Sequence, residues 1–165
     1  MEIVDLVTSD DQVIGNSTKE DARAQGHYTR VSFIILLNSK NELFLQQRKS
    51  TKKTYPLYWS GSAAGHVQSG ESYLDAAVRE TQEELGVRVA LKQIGKFTSG
   101  ADKEIVTVFI GKSDGPFTLE VAAIERAEYY SLARLNTQPA SMKMTSYLKD
   151  SLPLVSKTLH EPSSI

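Results

Sequence analysis

The chain has 165 residues, a formal net charge of −1 and no cysteine. That length suits one domain with a sizeable core. The near-zero charge offers no basic field for a nucleic-acid polymer, and the lack of thiols excludes disulfides, cysteine-ligated zinc and a cysteine nucleophile. The longest aliphatic or aromatic run, Phe33 to Leu37, is too short to cross a bilayer, so no membrane association is expected. The acidic start, Met1 to Asp11, lacks a signal peptide's basic head and long apolar stretch, which points to the cytoplasm.

In chain order, Ile3 to Thr8 and Gln12 to Ile14 flank the turn-like Ser9-Asp10-Asp11, predicting an N-terminal β-hairpin over about residues 1–16. Lys19 to Gly26 is polar and reads as a connector or short helix. Val31 to Leu37 is a continuous apolar run, the pattern of a strand buried on both faces. The cluster Asn38 to Asn41 turns the chain, and Glu42 to Arg48 alternates with Leu43 and Leu45 on one face, so 31–48 is predicted to be a second hairpin. Ser50 to Tyr55 is a polar loop ended by Pro56.

Trp59 to Val67 is rich in small residues, which let backbone approach a ligand or another element closely. Ser72 with Asp75 three positions on resembles a capping box and opens a helix to Leu85, with Gly86 as its C-terminal cap. Val87 to Lys96 and Ile105 to Gly111 are predicted strands, Asp114-Gly115-Pro116 breaks the chain, and Glu128 to Tyr130 is a short strand. Met142 to Leu159 is a closing helix that Pro153 should kink or end, and the last five residues are expected to fray. Strands, helix, strands, helix in that order suggest a mixed sheet between helical layers, one domain over 1–165.

The helix carries the chemistry. At about 100° per residue, Glu80, Glu83 and Glu84 fall on one face. Leu74, Val78, Thr81 and Leu85 form an opposite stripe, taken as the inward one, so the carboxylates are expected to point away from the main core. Like charges three and four residues apart each cost a few tenths of a kcal/mol. The helix has no lysine to offset them, and its one cation, Arg79, precedes Glu83 by four residues, the weaker order for an ion pair. The arrangement is poor for helix stability and good for concentrating negative charge, which a hard divalent cation would relieve.

The segment Gly65 to Val87 resembles the Nudix box, Gly-x5-Glu-x7-Arg-Glu-U-x-Glu-Glu-x-Gly-U with U a bulky apolar residue. The fixed positions are Gly65, Glu71, Arg79, Glu80, Glu83, Glu84 and Gly86, with Val87 at the last apolar place. Thr81 departs from the first apolar place, but a β-branched residue can still pack inward. The resemblance implies an α/β/α sandwich with a mixed sheet. It also implies hydrolysis of a phosphoanhydride bond in a small nucleoside diphosphate derivative. Glu80, Glu83, Glu84 and the Gly65 carbonyl would be the metal ligands, Arg79 would orient a box glutamate, and Glu71 would fix the loop-helix geometry. The cofactor implied is Mg2+, with Mn2+ as substitute, and family members are often homodimers.

A carboxylate must also take the proton of the attacking water. Glu80 is one candidate, and Glu104, Glu120 and Glu125 are candidates outside the box. Arg48, Lys52 and Lys53 could contact phosphate. Trp59 and Tyr58 could stack on a base, although core or rim packing is the commoner role of a lone tryptophan; His66 could line the pocket, and His27 and His160 default to the surface.

The segment Leu37-Asn38 to Arg48, then Tyr55-Pro56, Trp59 and Ser62 to His66, also resembles the type I isopentenyl-diphosphate isomerases. Those enzymes need a cysteine before the Gly-His pair, where this chain has Ala64. His66 matches one of their metal-binding histidines, the others having no match here, and Asp102 and Glu104 fall near the positions of their later acidic ligands. The intact box and the missing cysteine point to a hydrolase in the isomerase-like branch. Alternatives are an isomerase-like enzyme or a non-catalytic nucleotide-binding domain. The substrate does not follow from the box.

Overall fold

The structure, a computed structural model, describes residues 1–137 and 140–161. Residues 162–165, where fraying is expected, lie outside the described residues. Strands β1 (Ile3–Val7) and β2 (Val13–Thr18) pair antiparallel. Asp11 turns them at φ 63°, a left-handed conformation that aspartate tolerates. The hairpin runs past residue 16 because its ladder is made of backbone bonds, which Asn16 and Ser17 supply as well as apolar residues do. Thr18 then caps the short helix α1 (Lys19–Ala24), its hydroxyl accepting from the Asp21 amide at 3.1 Å.

Strand β3 (Thr29–Leu37) is buried on both faces, which explains its unbroken apolar run. Val31, Phe33, Ile35 and Leu37 enter one core cluster, and Ile34 and Leu36 the other. Strand β4 (Leu43–Arg48) turns back beside it, but the expected hairpin lasts for only two register pairs, Leu36 with Phe44 and Leu37 with Leu43. The strands then part. β4 pairs with β5 (Trp59–Ser60), whereas β3 takes β6 (Ala63–His66).

Downstream, β7 (Lys92–Ser99) lies antiparallel to β8 (Glu104–Lys112), which runs parallel to β3. β9 (Ile124–Tyr130) pairs with β4. The result is a mixed sheet of seven strands.

Helix α2 (Tyr73–Leu85) covers one face, with Ala77 and Leu85 beside Ile34 and Leu36. The short α3 (Leu132–Asn136) leads to α4 (Ser146–His160), which covers the other face with Leu148 and Val155. This is the expected α/β/α sandwich.

Ser62 holds the fork where β3 and β4 separate. It is fully buried, accepts from the Leu36 amide at 2.7 Å and donates to the Phe44 carbonyl, replacing ladder bonds that the strands give up.

Four further expectations change. Residues 87–91 are not strand: Val87, Val89 and Leu91 alternate because they pack on the cluster under α2, without a ladder. The short strand at 128–130 begins at Ile124, its exposed residues Glu125 and Arg126 having hidden it. The closing helix starts at Ser146, capped by Thr145, and continues through Pro153. Packing of Leu148 and Val155 in the core offsets the roughly 3 kcal/mol that an interior proline costs. The inward stripe of α2 is Ala76, Ala77, Thr81 and Leu85 together with Glu80 and Glu84, while Leu74 is 46% exposed.

Ser62→Ala should lower the unfolding free energy by about 1–3 kcal/mol, since it strands a buried amide and a buried carbonyl. Urea denaturation reads this directly; an unchanged midpoint would show that the fork does not depend on this hydroxyl.

Candidate active site

Helix α2 begins where Ser72 accepts from the Asp75 amide at 3.0 Å and ends at Gly86, whose φ of 70° lets its amide reach the Gln82 carbonyl. Two defined ends fix the helix over the fork of the sheet. The buried face of α2 is turned by about one residue from the expected stripe, so Glu80 and Glu84 face β6 instead of solvent. Thr81 is buried as expected, because its hydroxyl donates to the Ala77 carbonyl at 2.7 Å.

Arg79 organises the acidic residues. Its Nε and Nη2 grip Glu71 at 2.8 and 3.0 Å, a bidentate pair. Nη1 donates to Glu80 at 2.6 Å and to Glu83 at 3.4 Å, and Nη2 also reaches the His66 carbonyl at 3.0 Å. Glu71, which also accepts from the Gln68 amide at 2.9 Å, ties the preceding loop to the helix. The hydrogen bond to Glu71 is the main reason the guanidinium is held even more firmly cationic than usual.

Glu84 is the most perturbed carboxylate. Burial pushes its carboxyl up to about 7. Hydrogen bonds from Gln46 at 2.6 Å and from the Ala64 amide at 3.2 Å oppose this, and the charges of Glu80 and Glu120 add to it. Burial also raises Glu80 against the pull of Arg79. Gly65 makes room for Glu80: a Cβ there would lie 2.0 Å from a Glu80 oxygen.

Among the described residues, no three histidine, aspartate or glutamate side chains already converge as a metal cage. Glu80 and Glu83 lean on Arg79, and Glu84 on Gln46. The donor set is nonetheless all oxygen and crowded with like charge, as a hard cation requires.

A second group of side chains faces α4 from the far side of β6. His66 Nε2 lies 3.1 Å from Glu104 Oε1, and the Tyr147 hydroxyl donates to Glu104 Oε2. Burial works to raise Glu104, but the hydrogen bond and charge of His66 and the bond from Tyr147 bring it below the ordinary carboxylate value. Both groups open into one cleft of about 810 Å3, whose other wall carries Arg48, Lys52 and Lys53. Arg48 is steadied by the Thr54 carbonyl at 3.0 Å.

The remaining candidates fall as follows. Glu120 is exposed at the cleft rim, and Glu125 pairs with Lys49 at 3.8 Å. His27 borders the cleft instead of the outer surface. Trp59, a candidate to stack on substrate or to pack in the core, is in the core: it is 5% exposed, with Tyr130 edge-on at 5.2 Å and the Arg126 guanidinium over its ring. Its place in β5 points the indole toward α4, where apolar packing claims it. Sequence reasoning missed Gln46 and Tyr147. Gln46 is marked only by being polar within a buried strand, and Tyr147 looked like any apolar residue of the last helix.

A helix of clustered glutamates laid over a forked mixed sheet places the chain in a class of hydrolase domains. Residues 27–150 match the NUDIX domain, and the chain belongs to that family. It is 37% identical over 131 residues to an uncharacterized Nudix hydrolase of Pseudomonas aeruginosa, covering 78% of each chain. It is 36% identical over 121 residues to an isopentenyl-diphosphate Delta-isomerase of Serratia proteamaculans, covering 69% of this chain and 68% of that one. A crystal structure of a Deinococcus radiodurans protein superposes with a TM-score of 0.76 at 27% identity, covering 94% of this chain and 98% of that one. No helix among the described residues is long and apolar enough to cross a membrane.

The Glu84 carboxyl sits at about 7 in the folded chain against an ordinary 4.5, so between those pH values the folded protein keeps a proton that the unfolded chain has lost. Its contribution to stability therefore falls as pH rises through that window. Metal-free Glu84→Gln should match the parent near pH 4 and exceed it by about 3 kcal/mol near pH 8, read by urea unfolding in chelator. A parallel offset at both pH values would contradict this.

Proposed function

We propose that the chain hydrolyses a phosphoanhydride bond in small nucleoside diphosphate derivatives, using magnesium, with manganese as a substitute. The observation that carries this reading is the set of three box glutamates and Gly65 gathered over the fork, two of the carboxylates buried against their own desolvation cost. Such a cost persists in a fold when a bound charge repays it. Glu80, Glu83, Glu84 and the Gly65 carbonyl are the residues that would hold the ion. Glu83, with a side chain 58% exposed, can leave its long contact with Arg79.

When bound, the ion neutralises the diphosphate oxygens and makes an attacking water more acidic. The protein's own groups supply the rest. Arg79 fixes the glutamates, Gln46 keeps Glu84 aimed into the cleft, and Arg48 and Lys52 face the phosphates from the opposite wall. Water attacks phosphorus, the bridging P–O bond breaks, and a carboxylate receives the water's proton.

The likeness to an isopentenyl-diphosphate isomerase favours a second reading, in which the same diphosphate grip serves proton movement on carbon. Ala64 opposes it, since no acid stands where those enzymes require their cysteine. A nucleotide-binding role without turnover is opposed by the complete box.

The test is a phosphate-release screen over nucleoside di- and triphosphates, nucleotide sugars and dinucleotides with magnesium. Glu83→Gln and Glu84→Gln should each lower turnover by about two orders of magnitude or more, as expected for lost transition-state charge stabilisation. Formation of an allylic isomer from isopentenyl diphosphate would favour the isomerase instead. Tight nucleotide binding without turnover would favour the binding role.

A further inference from the structure

We propose that the N-terminal hairpin is a clamp on the box, with Asp5 as a positioning residue that sets metal affinity through Ser69, Glu71 and Arg79. The inference rests on the metal reading above and adds an element from outside the matched domain. The hairpin ends at Thr18, whereas the match to the NUDIX domain begins at residue 27.

The box turns before it becomes a helix. Residues 68–71 form a β-turn, in which the Glu71 amide donates to the Gln68 carbonyl at 2.9 Å. Gly70, at φ 81°, stands where a type II turn requires a left-handed residue. Gln68, Ser69 and Gly70 are exposed, so core packing does not hold this turn. Yet the turn carries Glu71, which takes two donors of the Arg79 guanidinium, and Glu80 and Glu83 rest on that same guanidinium. A drifting turn would carry Arg79 with it, and the carboxylates would lose their common reference point.

Strand β1 supplies the hold. Val4 and Val7 are buried and fix the strand to the domain. The Ser69 amide donates to the Ile3 carbonyl at 2.8 Å, and Val4 forms a backbone bridge with Gln68. Asp5 takes both central residues of the turn. Its Oδ1 accepts from the Ser69 hydroxyl at 2.6 Å, and its Oδ2 from the Gly70 amide at 3.4 Å. Arg30 of β3 pairs with the same Oδ2 at 3.8 Å.

The tip of the hairpin makes a second hold. Asp11 accepts from Arg30 Nε at 2.6 Å, from Lys96 Nζ at 2.7 Å and from the hydroxyl of Tyr73, the first residue of α2, at 3.0 Å. Arg30 and Lys96 also lie over the Tyr73 ring. One hairpin thus grips both ends of the link between loop and helix. From Asp5 the hydrogen bonds and the short stretch of turn run without a break to the box glutamates. Groups that orient a metal's ligands in this way change its affinity by about 10–100-fold when lost.

Manganese binding to the full chain, read from the resonance of the free ion, tests this without turnover. Asp5→Ala and Ser69→Ala should each weaken binding about tenfold. The double variant should lose no more than Asp5→Ala alone, because both changes remove the same bond. In the metal-free variants, amide exchange at Ser69 and Glu71 should quicken. In turnover, the half-activating magnesium concentration should rise by the same factor, and the substrate KM by less.

Parental manganese affinity in folded Asp5→Ala, whatever its urea midpoint, overturns the clamp and leaves the hydrolase reading intact. Losses that add in the double variant overturn it too. If Asp5→Ala does not fold, Ser69→Ala decides by the same measure, since Ser69 is exposed. A parent chain that binds no manganese overturns the metal reading and the clamp together.

Discussion

Everything at this site depends on one contradiction that the fold sustains: like-charged carboxylates are buried on one helix beside a single arginine. Arg79 makes the contradiction tolerable. It spends its guanidinium donors on Glu71, Glu80, Glu83 and the His66 carbonyl, so loop, helix and strand β6 are fastened at one point. Glu84 lies beyond its reach and shows the strain most clearly, pushed up to about 7 by burial. A hydrophobic residue there would suit the fold better, which makes the glutamate a mark of chemistry more than of stability.

The fork in the sheet supplies the room. β3 and β4 pair for two positions and then separate, and the small-residue segment from Ser60 to His66 fills the gap. Ser62 carries the lost backbone bonds, and Gly65 yields its Cβ position to Glu80. One face of β6 thereby meets the box, and the other meets Glu104 and the C-terminal helix. A single four-residue strand relates two sets of polar groups that are far apart in sequence.

Much of this was readable in the amino-acid order. The box spacing and the double-sided apolar run of β3 led to the helix, the sheet and the sandwich, because each is a local pattern with one structural solution. What local pattern could not give was long-range choice. The inward face of α2 departs from the expected stripe because Leu74 and Val78 are more apolar than Ala76 and Ala77, yet the small alanines are the residues buried against the sheet. Whether Trp59 stacks on a ligand or packs in the core is decided by Tyr130 and Arg126, some seventy positions away in the chain. Gln46 and Tyr147 had no marker in sequence, since their roles exist only through partners on other elements.

The central claim is that the α2 glutamates are ligands in waiting. Crystals grown with manganese and measured near its absorption edge test it most directly. The account predicts an anomalous peak at about 2.0–2.3 Å from oxygens of Glu80, Glu83 and Glu84 and from the Gly65 carbonyl, with Glu83 turned away from Arg79. Glutamates still resting on Arg79 and Gln46, with no peak beside the helix at saturating manganese, would contradict it.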